Sequence, residues 1–130
     1  MRILALDYGS ARTGVAVCDE TGTIAVPLTV IPGVDTHAGF AELLTLIEEH
    51  QPDLIVVGSP TPLAGGDNAQ SRRAQSFAVH LRRHLSTPIE TYDERFTTTM
   101  ARARGGRTPL DARAAALILE EYLREHGPAI

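Results

Sequence analysis

The sequence predicts an α/β domain: a five-stranded mixed sheet, three antiparallel strands then helix-linked parallel strands, with helices on its faces. Three observations predict it. Residues 2–8, 13–18 and 23–31 are strand-like runs joined by the short turns Gly9-Ser10-Ala11-Arg12 and Asp19-Glu20-Thr21-Gly22, the pattern of an antiparallel meander. Two further apolar runs, Leu54 to Gly58 and Ile89 to Tyr92, each follow a segment of helical period. A third such segment, Pro109 to Glu125, ends the pattern.

Each later element has its own signal. Pro32-Gly33 breaks the meander. Thr36 to His50 places Phe40, Leu43, Leu44 and Ile47 at i, i+3, i+4 and i+7, one face of a helix that Gln51-Pro52-Asp53 ends. Leu54-Ile55-Val56-Val57-Gly58 is apolar throughout, as a parallel strand covered on both faces must be. A Pro- and Gly-rich loop, 59–68, precedes a second helix over 69–85. Ala74, Phe77, Ala78, Leu81 and Leu85 face inward there, and Arg72, Arg73, Arg82 and Arg83 face outward. Thr98 to Arg104 reads as a short helix and Gly105-Gly106-Arg107 as a hinge. In the last helix Ala114, Ala115, Ile118 and Tyr122 share one face. The order β-β-β-α-β-α-β-α is that of the ribonuclease H-like fold, and 130 residues suit a single domain, 1–130.

Composition excludes several classes. The one cysteine, Cys18, rules out an internal disulfide framework and reads as a small buried hydrophobe. The longest apolar stretch, Ile24 to Ile31, is too short to span a bilayer, and Asp7 interrupts any signal-peptide core, so a cytoplasmic protein without membrane contact is expected. Net charge is −4, but residues 1–65 carry −6 and residues 66–130 carry +2. Within 95–113, Arg95, Arg102, Arg104, Arg107 and Arg113 face a single acid, Asp111. There is no lysine, so every basic side chain is the planar fork that suits phosphate. Six aromatic residues are too few for a base-stacking platform.

Three acidic positions stand where strands or helices end. Asp7 closes the first strand, ahead of Gly9, in a turn whose Arg12 can reach a phosphate; an ordinary hairpin would use the same residues. Asp93-Glu94-Arg95 follows the fifth strand. Neighbours on an extended chain point to opposite faces, so one carboxylate of this pair is a ligand and the other orients Arg95 or the backbone. The alternative is a surface ion cluster. Asp111 falls on the apolar stripe of the last helix, and Thr108-Pro109-Leu110-Asp111 also reads as a helix cap. Acids from separate elements at one sheet edge suit divalent cations and phosphoryl transfer. His80 and His84, four apart among outward arginines, form a weak candidate zinc pair.

Four motifs in order resemble the YqgF family, also called RuvX. They are Asp7-x-Gly9-x-x-Arg12-x-Gly14-x-Ala16-x-x-Asp19, Gly58-x-Pro60, Asp93-Glu94-Arg95-x-Thr97-Thr98, and Asp111-x-x-Ala114-Ala115-x-x-Ile118-Leu119-x-x-Tyr122-Leu123. The resemblance spans essentially the whole chain. It implies a ribonuclease H-like nuclease for the 5′ end of pre-16S rRNA, with Holliday junction resolution as the alternative activity. It also implies Asp7, Glu94 and Asp111 as catalytic ligands of Mg²⁺ or Mn²⁺, with Asp93 as a further candidate ligand. Gly9, Arg12, Arg95, Thr97, Thr98, Arg102, Arg104 and Arg107 would contact substrate. Better-known resolvases carry an acid after the fourth strand, where this chain has Gly58-Ser59-Pro60. Two rivals stand beside this reading: an actin-like ATPase domain, for which one such domain is too little, and a non-catalytic RNA-binding assembly factor. A monomer is expected, with a weak homodimer as the alternative.

The clustered arginines predict the salt dependence. Nucleic-acid affinity should fall steeply with salt, and Arg104→Ala should lower the log–log slope by about one, measured by anisotropy titration. An unchanged slope would show that Arg104 touches no phosphate. Calorimetry with ATP should show no binding.

Overall fold

The computed structural model describes residues 1–19, 21, 24–59, 69–93 and 110–126. The elements are β1 (Ile3–Asp7), β2 (Arg12–Cys18), β3 (Ala25–Pro32), α1 (His37–His50), β4 (Leu54–Ser59), α2 (Ala69–Arg82), β5 (Ile89–Asp93) and α3 (Leu110–His126). The sheet runs β3-β2-β1-β4-β5. β1 and β2 are antiparallel, as are β2 and β3, while β1, β4 and β5 are parallel. Both the order and the pairing match the expected ribonuclease H-like arrangement.

β1 lies at the centre, and strand alternation splits its side chains between two cores. Leu4, Leu6 and Tyr8 pack with Ile55, Val57 and Ile89 beneath α1 and α2, which contribute Leu43, Ile47, Phe77 and Leu81. Ile3 and Ala5 pack with Ala16 and Val56 beneath α3, which contributes Ala115, Ile118, Leu119 and Tyr122. Ile3 to Leu6 are at most 1% exposed, so β1 is covered on both faces. Truncating Leu6 to Ala would therefore cost about 2–5 kcal/mol.

Polar ties fix the ends of β1. Its first strand pairing is prepared by Arg2, whose N–H donates to Asp53 Oδ2 at 2.8 Å and whose carbonyl accepts from Asp53 N–H at 2.7 Å. The Arg2 guanidinium donates to the His50 carbonyl at 2.9 Å, at the C-terminus of α1 where a cation is favoured. Thr36 caps the other end of that helix through Gly39 N–H, and Gln51 ends it in the left-handed region at φ 48°.

The structure adjusts several expectations. α2 ends at Arg82, so Leu85 packs on the core from beyond the helix rather than within it. The cause is a tightening of its last turn, where Arg83 N–H reaches both Val79 and His80 carbonyls and His84 N–H reaches Leu81. β3 begins at Ala25 rather than residue 23, and a bulge interrupts its register opposite Val15 and Ala16, next to Pro27. β3 is an edge strand, where a missing N–H is tolerated. α3 is less amphipathic than its pattern suggests: Ala112 and Ala114 to Leu119 are all buried. The short helix expected over 98–104 lies outside the described residues. Among the described residues no helix is long and apolar enough to cross a membrane.

Cys18 is 2% exposed, as expected of a small core residue. Burial pushes its thiol pKa up, against the opposing effect of the Ile3 N–H that donates to Sγ at 3.0 Å. Native protein should not react with Ellman's reagent within minutes, and guanidinium-unfolded protein should react fully. Rapid native labelling would show that β1 and β2 separate readily.

Candidate active site

Asp7 is the last residue of β1 and is half-buried. It follows Ile3 and Ala5 by strand alternation, so it belongs to the face that α3 covers. Its ladder partners are Gly14 on β2 and Gly58 on β4. Residues directly opposite in a ladder share a face. Asp7 therefore stands between two buried glycines, which add no side chain beside it at the end of a buried strand. Sequence reasoning missed this role. It noted Gly58 as part of a family motif and for the acid it lacks, although a glycine inside a strand is itself a signal of close approach.

The turn after Asp7 is held rigidly. A Cβ on Gly9 would lie 2.4 Å from the Arg12 carbonyl oxygen, a backbone atom that cannot swing aside. The Thr13 hydroxyl, fully buried, donates to the Gly9 carbonyl at 3.1 Å and accepts from Gly9 N–H at 3.4 Å. Arg12 opens β2 opposite Pro32 and is exposed, at the mouth of the same turn.

The remaining candidates fall on neighbouring elements. Asp93 is the last residue of β5 and pairs with Ser59, one step beyond the Gly58–Tyr92 pair. With β4 between them, Asp7 and Asp93 are two ladder spacings apart, roughly 10 Å between backbones. Asp111 is the second residue of α3, the helix packed on Asp7's face of the sheet. Glu94, Arg95, Thr97, Thr98, Arg102, Arg104, Arg107 and the Thr108-Pro109 start of the expected cap lie outside the described residues. Among the described residues no three His, Cys, Asp or Glu side chains form a metal-sized group. His80 and His84 instead pack with Phe40, their rings 4.7 and 5.0 Å from its centroid.

β5 is tied to α3 near the same edge. The Tyr122 hydroxyl donates to Glu90 Oε2 at 3.0 Å, and its ring meets Tyr92 edge-on at 5.9 Å. Glu90 and Tyr92 thus belong to the α3 side of β5. Burial, then the hydrogen bond and charge of Glu90, push the Tyr122 pKa up to about 12.

These elements define a ribonuclease H-like domain with an acidic strand end facing its last helix. The chain belongs to the RuvX family, described as Holliday junction resolvase, whose model matches residues 1–125. A relative from Streptomyces avermitilis is 39% identical over 132 residues, covering 94% of this chain and 85% of its own length. One from Shewanella oneidensis is 40% identical over 133 residues, covering 95% of this chain and 94% of its own. Both carry the name "Putative pre-16S rRNA nuclease". Among solved structures, Thermus thermophilus RuvC in complex with Holliday junction substrate aligns over 98% of this chain and 99% of its own, with TM-score 0.63 and 16% identity. The yeast mitochondrial Holliday junction resolvase Ydc2 aligns over 94% of this chain and 77% of its own, with TM-score 0.53 and 12% identity. At such identities these two show a shared fold only.

Two predictions follow from the geometry. Gly9→Ala forces its new methyl against the Arg12 carbonyl and should lower unfolding stability by about 1–3 kcal/mol in urea titration. An unchanged midpoint would mean that the turn is soft. Tyr122 stays protonated in the folded state above the pH at which the unfolded chain ionises. Its contribution is therefore complete below about pH 10 and is lost as pH rises towards 12. Tyr122→Phe should flatten the decline in melting temperature between pH 10 and 12, and an identical decline would show that Tyr122 ionises freely in the fold.

Proposed function

We propose that this chain is a divalent-metal-dependent nuclease that processes the 5′ end of pre-16S rRNA, with Asp7, Glu94 and Asp111 as its catalytic carboxylates. One observation carries the site: Asp7 ends a buried strand between Gly14 and Gly58, on the face covered by the helix that carries Asp111. The donor set is carboxylate oxygen throughout, which fits Mg²⁺ or Mn²⁺ rather than softer ions. The two glycine neighbours put no side chain of their own beside the Asp7 carboxylate, which suits a ligand that cations and a phosphate must approach.

Bound divalent cations would supply charge neutralisation at the scissile phosphate and a more acidic attacking water. The chain's own groups do the rest. Asp7 is held at a fixed height by the ladder on both sides and by the Gly9–Thr13 turn. Arg12 and Arg95 would orient the phosphate, and the other arginines of 95–113 would hold the flanking strand through its backbone. The RNA assignment rests on the names of the relatives. The scarcity of aromatic residues favours shape and charge over base reading for either substrate. Symmetric junction cleavage is the second reading, favoured by the family description, and it requires two sites and hence a dimer.

Wild type and Asp7→Asn should be compared on labelled pre-16S rRNA and a four-way junction, with Mn²⁺ or EDTA, alongside sedimentation of the active species. Asp7→Asn is expected to reduce cleavage by on the order of 100-fold or more, with stability changed by less than about 1 kcal/mol. Equal loss of both would assign Asp7 a structural role. A stable dimer that nicks junctions symmetrically and spares the RNA would replace the first reading with the second.

A further inference from the structure

Across the sheet from Asp7 lies a cleft that the site above does not use. Tyr8, the next residue, points to the opposite face, and beside it the α1–α2 layer leaves a cavity of about 570 Å³. One wall is a stripe of α2: Ala69, Arg72, Arg73, Ser76 and His80, at i, i+3, i+4, i+7 and i+11. Such a stripe is about 16 Å long, while phosphates of one duplex strand follow each other at about 3.4 Å along the axis. The wall can therefore track several phosphates. Arg72, Arg73, Ser76 and His80 are all exposed, and among the described residues Arg73 makes no ion pair.

The floor and far wall narrow the ligand further. Tyr8 and Phe77 pack at 5.0 Å between centroids and are only 4% and 3% exposed, so they offer no surface on which a base could stack. Facing the arginines is Asp35, an exposed carboxylate that accepts the Tyr8 hydroxyl at 2.5 Å. Asp35 is held in place by its loop: Gly33, at φ 55°, donates to the Ala11 carbonyl at 3.0 Å and accepts from Thr36 N–H at 2.9 Å. Burial, then the hydrogen bond and charge of Asp35, raise the Tyr8 pKa, while the Arg73 charge lowers it. The hydroxyl thus stays a donor, which engages one carboxylate oxygen and leaves the other as an acceptor.

A pair of arginines facing one carboxylate acceptor, over two rings too buried to stack a base, fits a chain of phosphates that also carries a hydroxyl donor. We propose that this cleft is a second nucleic-acid contact that grips a ribose–phosphate backbone, with Arg72 and Arg73 on phosphates and Asp35 accepting a ribose 2′-hydroxyl. The proposal rests on the nuclease reading and deepens it. The same edge of β1 would cut on one face and, through Asp35, distinguish RNA from DNA on the other.

The test is anisotropy binding, in EDTA to prevent cleavage, of single-stranded RNA and DNA of one sequence at about 0.1 M salt. Arg73→Ala should weaken both by about 5–10-fold. Asp35→Ala should bring the RNA-to-DNA affinity ratio down about 3–10-fold. Tyr8→Phe, which breaks the same hydrogen bond but keeps the carboxylate, should retain the RNA preference. Equal ratios in Asp35→Ala and Tyr8→Phe would make Asp35 a merely structural partner and overturn its role. If wild type binds and cleaves nucleic acid while Arg73→Ala binds as wild type does, the cleft proposal fails alone. A wild type that neither binds nor cleaves either strand overturns the nuclease reading and this one with it.

Discussion

The placement of β1 constrains everything else in this protein. Its four residues from Ile3 to Leu6 are covered on both faces, so the strand can carry no polar side chain along its length. A carboxylate in such a strand would lose its hydration without compensation, at a cost of several kcal/mol. The first place an acid can stand is where cover ends, and Asp7 stands there. Its two ladder partners, Gly14 and Gly58, add no side chain beside it. Both cores, two of the four strand pairings and the turn to Arg12 meet on this one strand.

Alternation then gives the strand end two chemistries. Asp7 belongs to the α3 side, the face of the proposed carboxylate site. Tyr8 belongs to the α1–α2 side, where arginines and a hydroxyl–carboxylate pair line an open cleft. A one-residue slip of β1 against β4 would exchange the two faces. The Arg2–Asp53 pair, bonded in both directions, opposes that slip.

Much of this was legible in the sequence. Period-two runs, turn residues and helical spacing gave all eight elements of the described residues, because each depends on neighbours within a few positions. Asp7 was legible for the same reason: it is the first polar residue after an apolar strand. The pairing of Asp7 with Gly14 and Gly58 was not, since ladder register across 51 residues is fixed by tertiary contacts. The cleft was illegible on similar grounds. Arg72 and Arg73 read as a solvated helix face, and nothing local announces that Asp35, from another element, stands opposite them. The end of α2 was misread because Leu85 is apolar and in phase, yet reaches the core from beyond the last helical turn.

The chain order of the pairings has a consequence for synthesis. β1, β2 and β3 are adjacent in sequence and can pair as soon as they leave the ribosome, because the loops to be closed are short. Among the described residues the face on which Asp7 lies is covered by α3, which is made after all five strands. A nascent chain therefore displays the strand-end acid long before it owns the helix that completes the proposed site. If this chain cuts ribosomal precursor RNA, that activity begins only once α3 has been made and has docked over the strand end.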